Sequence, residues 1–341
     1  MRARLVRTSL RELSLVQIRH VAKVPFRTSE PVVSRVYRDG EREFGVLAPP
    51  LALHAPSPEV TAAVWIMLRE SLVSPGLVGR REKEAVAAMI SDANTCPYCV
   101  TMHTSMWASL GGEAEASDVA GWARANATRG SDEDGDPVPF PAEHAPELVA
   151  VAVLLHYLNR MVNIFLGDAP LPPKVPVQAL RVVGPVLNWL QHAAERDTAH
   201  PGSSLDLLPP APLAEDLSWT GRNTVLVQAF SRAAAAIDAA GERALSQPVR
   251  RLVLDRLKVW DGRPVGISRG WVDGAVGELA AADRAAGRLA LLTALASYQI
   301  DDEVIRGFHA ETPDDTRLIE ATAWAAMAAA REAGAWMRTW R

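Results

Sequence analysis

From Ser57 onward the apolar positions recur at helical spacing. Val60, Val64, Met67 and Leu68 fall on one helix face. Ser57-Pro58-Glu59 just before them has the form of a helix start, with proline in the first turn and an acid beside it. The same reasoning predicts helices over 80–91, 97–110, 143–167 and 175–196. Asp92-Ala93-Asn94-Thr95 reads as a turn ahead of the 97–110 helix, and Gly111-Gly112 as its stop. Beyond Pro212 the pattern predicts helices over 222–245, 248–260, 270–282, 285–297 and 314–337. No stretch alternates as a strand would, so the expected fold is all-α.

Proline and glycine divide this pattern. Pro25, Pro31, Pro49, Pro50 and Pro56 interrupt any long period, so residues 1–54 are expected to be an irregular arm. Pro201, Pro209, Pro210 and Pro212, with Gly202, Ser203 and Ser204, mark the best boundary between two units. The expected organisation is a helical domain over 55–196, a Pro-rich linker over 197–220 and a second helical domain over 221–341. The helix order of the first half returns in the second at an offset that carries Pro97 onto Pro264.

Composition narrows the function classes. At 341 residues, length alone suggests two domains. Hydrophobic residues at 48% and charged residues at 22% exclude a largely disordered chain. A net charge of −4 provides no global basic field, which disfavours nucleic-acid binding. Two cysteines exclude both a disulfide-stapled scaffold and a four-thiolate zinc site. The apolar run Leu148–Leu155 meets His156, Asn159 and Arg160, and is too short to span a bilayer. Residues 1–27 hold seven Lys/Arg against one acid, Glu12, and fit a transit-like segment, a membrane-surface contact or, as the favoured reading, a solvated arm. The run Asp132-Glu133-Asp134 reads as a solvated loop. A reducing cytoplasm is the expected compartment, where paired thiols more often mean chemistry than a staple.

One constellation carries chemistry: Glu84, Cys96, Cys99 and His103. The cysteines are three residues apart and His103 follows Cys99 by four, so a helix sets all three in one stripe. The thiols can approach closely enough to pair. The helix start favours thiolate over thiol, and His103 can take or relay a proton. Glu84 would be about 22 Å from Cys99 along one continuous helix. Only a fold-back at the Asp92–Thr95 turn brings it to the imidazole as the third member of an acid–base relay. A Cys₂/His/Glu metal set is the competing use of the same four residues. His156, Asn159 and Arg160 are expected to be core-facing polar groups, and Trp65 and Trp107 packing residues.

Glu84 followed by Cys96-x-x-Cys99-x-x-x-His103 resembles the signature of the AhpD-like alkylhydroperoxidase branch of the carboxymuconolactone decarboxylase family. Ser91-Asp92-Ala93-Asn94 and the later Tyr157-Leu158-Asn159-Arg160-Met161-Val162-Asn163 are similar to that family as well. The resemblance covers residues 55–168, with the second half similar to a degenerate copy. At the repeat offset that copy has Arg251, Arg263, Gly266 and Gly270 in place of Glu84, Cys96, Cys99 and His103, and so no redox chemistry. Some members carry histidine directly before the second cysteine, where this chain has Tyr98.

The resemblance implies a thiol-dependent peroxidase acting on alkyl hydroperoxides. Cys99 would attack the peroxide, Cys96 would resolve the sulfenic acid, and Glu84 and His103 would form the proton relay. It implies a dithiol reductant or lipoyl-type adaptor protein as partner, a homo-oligomer, and no cofactor or metal. Position at the helix start alone favours Cys96 as the more acidic thiol; the relay favours Cys99. The alternatives are a general dithiol–disulfide oxidoreductase and a non-catalytic, redox-responsive helical binding protein. Cys96-Pro97-Tyr98-Cys99 is also the glutaredoxin tetrapeptide, but that fold needs a strand before the motif, where this chain reads helical.

Overall fold

The computed structural model describes residues 10–112, 117–130, 138–171 and 200–337. The fold is all-α, and no strand occurs among the described residues. The helices of the first half are α1 (Pro31–Phe44), α2 (Pro49–Ala52), α3 (Pro58–Leu68), α4 (Arg80–Ala93), α5 (Pro97–Ser109), α6 (Asp118–Asn126) and α7 (Ala145–Phe165). The second half contributes α8 (Thr224–Ala244), α9 (Gln247–Lys258), α10 (Gly270–Val276), α11 (Arg284–Ala296), α12 (Asp302–Glu311) and α13 (Asp315–Trp336). The expected helix over 175–196 and the acidic run at 132–134 lie outside the described residues.

The N-terminal region corrects the sequence reading. Residues 10–15 are helical, and α1 and α2 follow. Pro31 and Pro49 were read as breakers, yet each occupies the first turn of a helix, where the missing N–H is no loss and the fixed φ fits. Glu30 caps α1 by accepting from Val32 N–H. Val33, Val36 and Tyr37 then bury one face of α1 against α3. The pattern reading also passed over α6 and α12, and extended α10 six residues too far.

A single contiguous core runs from Leu15 to Met337. Helices of the two halves meet directly: α3 packs on α8, and α7 packs on α13. α7 reads as apolar on all sides because it is surrounded by α3, α4, α5, α11 and α13. It is long and apolar enough to cross a membrane, but 94% of its most apolar window is buried inside the protein. Gly241 on α8 lies against the Trp324 ring of α13, which leaves no room for a side chain there. Residues 200–220 are tied into both halves. Gly202 N–H and Ser204 Oγ donate to Glu70, Arg331 holds Asp216, and Leu217 and Trp219 are buried.

The helical hairpin α4–α5 positions the site. α4 ends at Ala93, and the chain turns through Asn94 and Thr95 before α5 begins at Pro97. Thr95 adopts φ 52°, a left-handed conformation that strains a β-branched residue. Gly111 at φ 74° ends α5, as its type requires. Trp65 and Trp107 are both buried packing residues, with Trp65 edge-on to Phe44 at 6.0 Å.

Candidate active site

Cys96 is the N-cap residue of α5, and Cys99 lies in its first turn. Both are free thiols, buried, and 3.0 Å apart. The hairpin turns α4 back alongside α5, so Glu84 and His103, nineteen residues apart, meet: His103 Nδ1 lies 2.7 Å from Glu84 Oε2. Arg80, one helical turn before Glu84, donates from Nε to Glu84 Oε1 at 2.6 Å. Glu84 is therefore held on both oxygens while only 1% exposed. Burial alone would push its carboxyl upward, but Arg80 and His103 overcome this and pull it down to about 2.

These groups form one wall of a cavity of about 150 Å³. Cys99, His103, Glu84, Arg80 and Tyr98 face it, and Cys96 does not. The remaining wall is largely apolar, with Phe44, Leu68, Leu72, Met102, Leu155 and Leu158 prominent. Ser14, Gln17, Val46, Ala48, Pro49 and Pro50 also contribute, so the region expected to be an irregular arm closes one side of the site. Tyr98 stands where some members of the resembled family carry histidine. Its hydroxyl donates to Gln17 Oε1 at 3.5 Å, and burial pushes it far above ordinary tyrosine.

Cys99 is not acidic in this setting. Burial pushes its thiol well up, and the adjacent Cys96 adds to the effect. Hydrogen bonding from the Asn159 side chain works in the opposite direction and favours the thiolate. Asn159 belongs to a polar cluster behind the thiols. Asn94 Nδ2 donates to Asn159 Oδ1 at 3.0 Å, and Asn159 Nδ2 donates to Ser91 Oγ at 3.1 Å. Asn163 Nδ2 donates to Asn94 O at 3.4 Å and Ser297 Oγ at 3.0 Å. His156 is buried against Asn94, with Nε2 unpartnered, and burial lowers its proton affinity well below ordinary histidine. Among the described residues no group of three or more His, Cys, Asp or Glu side chains converges as a metal site.

Comparison with known proteins adds a relative. No family model matches the chain. The alkyl hydroperoxide reductase Rv2159c of Mycobacterium tuberculosis is 33% identical over 338 residues, spanning 94% of this chain and 95% of that protein. The chain belongs to the family of that alkyl hydroperoxide reductase. The likeness runs through both halves, well beyond the 55–168 segment that carries the motif resemblance.

Within this family member, the structure brings all four motif residues to one hairpin. Arg80, Asn94 and the cavity-lining residues of the N-terminal region were missed. Arg80 was legible as a pair with Glu84 four residues on. Asn94 entered as part of a turn and of the family-like Ser91–Asn94 segment; nothing local marks it as the partner of Asn159, 65 residues later.

Proposed function

We propose that the protein is an AhpD-like, thiol-dependent peroxidase reducing hydroperoxides with an organic tail. The observation that carries this reading is the placement of the thiols. Cys99 faces an apolar cavity beside the His103–Glu84–Arg80 chain, while Cys96 waits 3.0 Å behind it, away from the cavity. That favours Cys99 over Cys96 as the attacking sulfur, despite the nearer helix start of Cys96.

Because burial holds Cys99 as a thiol, a base has to take its proton. His103 performs this step, oriented through Nδ1 by Glu84, leaving its other ring nitrogen for the reaction. The Cys99 thiolate attacks one peroxide oxygen and the O–O bond breaks. The leaving alkoxide takes a proton to become the alcohol, and Cys99 becomes a sulfenic acid. Cys96 then attacks the Cys99 sulfur, releasing water and forming the Cys96–Cys99 disulfide. Two electrons from a dithiol reductant or lipoyl-type adaptor restore both thiols.

The second half carries no thiol chemistry of its own in this reading. α9 begins at Gln247, 167 residues after Arg80 at the start of α4, in keeping with a degenerate repeat. The corresponding positions hold no thiol.

The test is peroxide consumption with an organic hydroperoxide and a dithiol donor, followed by mass spectrometry after one equivalent of peroxide. Cys99→Ser is expected to consume none. Cys96→Ser is expected to stop after one event with sulfenic acid on Cys99. Sulfenic acid on Cys96 in Cys99→Ser, with none on Cys99 in Cys96→Ser, overturns the assignment.

A further inference from the structure

Arg160 on α7 is buried, at 4% exposure, yet none of the ion pairs among the described residues involves it. A buried cation without a carboxylate has to be satisfied by other partners. Its guanidinium is held from both halves of the chain. Nε donates to Ala294 O on α11 at 2.9 Å, and the group lies over the Trp260 ring at 5.3 Å. Nη1 donates to His156 O at 2.6 Å and to Asn94 Oδ1 at 3.1 Å.

That last contact sets the direction of everything beyond it. A guanidinium has only donors, so Asn94 must turn its oxygen to Arg160. The Asn94 NH₂ is then left for Asn159 Oδ1 and for His156 Nδ1 at 3.1 Å, and Asn159 turns its own NH₂ to Ser91 Oγ, in the orientation that favours the Cys99 thiolate. Ser91 Oγ can accept because its proton is given to Ala87 O at 2.6 Å. Each amide is oriented by the one before it, and the chain ends at Asn159, whose side-chain N–H favours the Cys99 thiolate.

We propose that Arg160 is a positioning residue for Cys99: a buried cation, seated by the second half, that orients Asn94 and Asn159 so that an amide N–H, never an amide oxygen, meets the attacking sulfur. The inference rests on Cys99 being the reactive thiol. It gives the thiol-free second half a part in the chemistry of the first. Without Arg160, Asn94 and Asn159 are free to flip together and present an oxygen that repels the thiolate. Burial lowers Arg160 to about 9, so it remains a cation at neutral pH. The other titratable groups around the sulfur are Cys96, Tyr98, His103, Glu84 and Arg80 towards the cavity, and His156 behind, held neutral by burial.

The test measures the pH dependence of iodoacetamide alkylation of Cys99, located by mass spectrometry, in the full chain carrying Cys96→Ser. Arg160→Gln and Asn94→Ala are each expected to move the midpoint up by about one pH unit, which is about tenfold slower alkylation at neutral pH. The rates should converge with the parent at high pH. Arg160→Lys keeps a donor-only cation and should stay within a few tenths of the parent midpoint. A folded Arg160→Gln, or Asn94→Ala, with the parent midpoint overturns the proposal. Asn94 is only half-buried, so that variant provides the answer if Arg160→Gln does not fold. Alkylation needs no peroxide turnover. A shifted midpoint in a protein inert to hydroperoxides upholds this inference while the proposed function fails, and turnover with unshifted midpoints does the reverse.

Discussion

Glu84→Gln tests the site at its most constrained point. The carboxylate is 1% exposed and receives Arg80 at 2.6 Å and His103 at 2.7 Å. It is held at about 2 in the fold against an ordinary 4.5. That difference corresponds to about 3 kcal/mol of stability carried by the ionised form. Glutamine has the shape of the neutral acid and cannot supply that charge, so the variant should lose about 3 kcal/mol at pH 7. The sign with pH follows from the depressed value. The contribution is complete above the ordinary carboxylate range and is lost as pH falls towards 2, so the gap between wild type and variant should narrow steadily below pH 4.5. Urea unfolding followed by tryptophan fluorescence, at pH steps from 7 to 3, measures both. A gap under about 1 kcal/mol at pH 7, or a gap that stays constant down to pH 3, refutes the reasoning that Arg80 and His103 hold a buried charge.

Three further outcomes are expected. If His103 takes the Cys99 proton as proposed, His103→Gln should slow peroxide reduction about 100-fold or more at neutral pH, and the deficit should shrink at high pH in stopped-flow measurements. Thr95→Gly should raise stability by about 1 kcal/mol in thermal unfolding, since glycine relieves the left-handed strain at a modest entropic cost; a loss would mean the threonine side chain is needed in the turn. Gly241→Ala should destabilise by about 1–3 kcal/mol, because its methyl overlaps the Trp324 ring where α8 meets α13; an unchanged melting temperature would contradict that close approach.

Local pattern was sufficient for much of the architecture. Helical periodicity and the prolines at 58 and 97 placed α3 and α5, and the run from Leu148 placed α7. Proline misled where the same residue type starts a helix as readily as it ends one: Pro31 and Pro49 could be read either way until the buried face of α1 was seen against α3. The Cys–His stripe was legible because its members lie within one helix, where spacing fixes direction.

The sequence by itself therefore determined the all-helical class and the Cys96–Cys99–His103 stripe, since both depend on neighbours a few positions apart; Glu84 joins His103, nineteen residues on, only through the α4–α5 hairpin. Only the tertiary structure decided which thiol faces the cavity, that the N-terminal region closes it, and that Arg160 is seated by Ala294 and Trp260 from the other half of the chain. Those features rest on contacts between residues 50 to more than 130 positions apart. Burial and electrostatic environment are set by such distant contacts, and no local period encodes them.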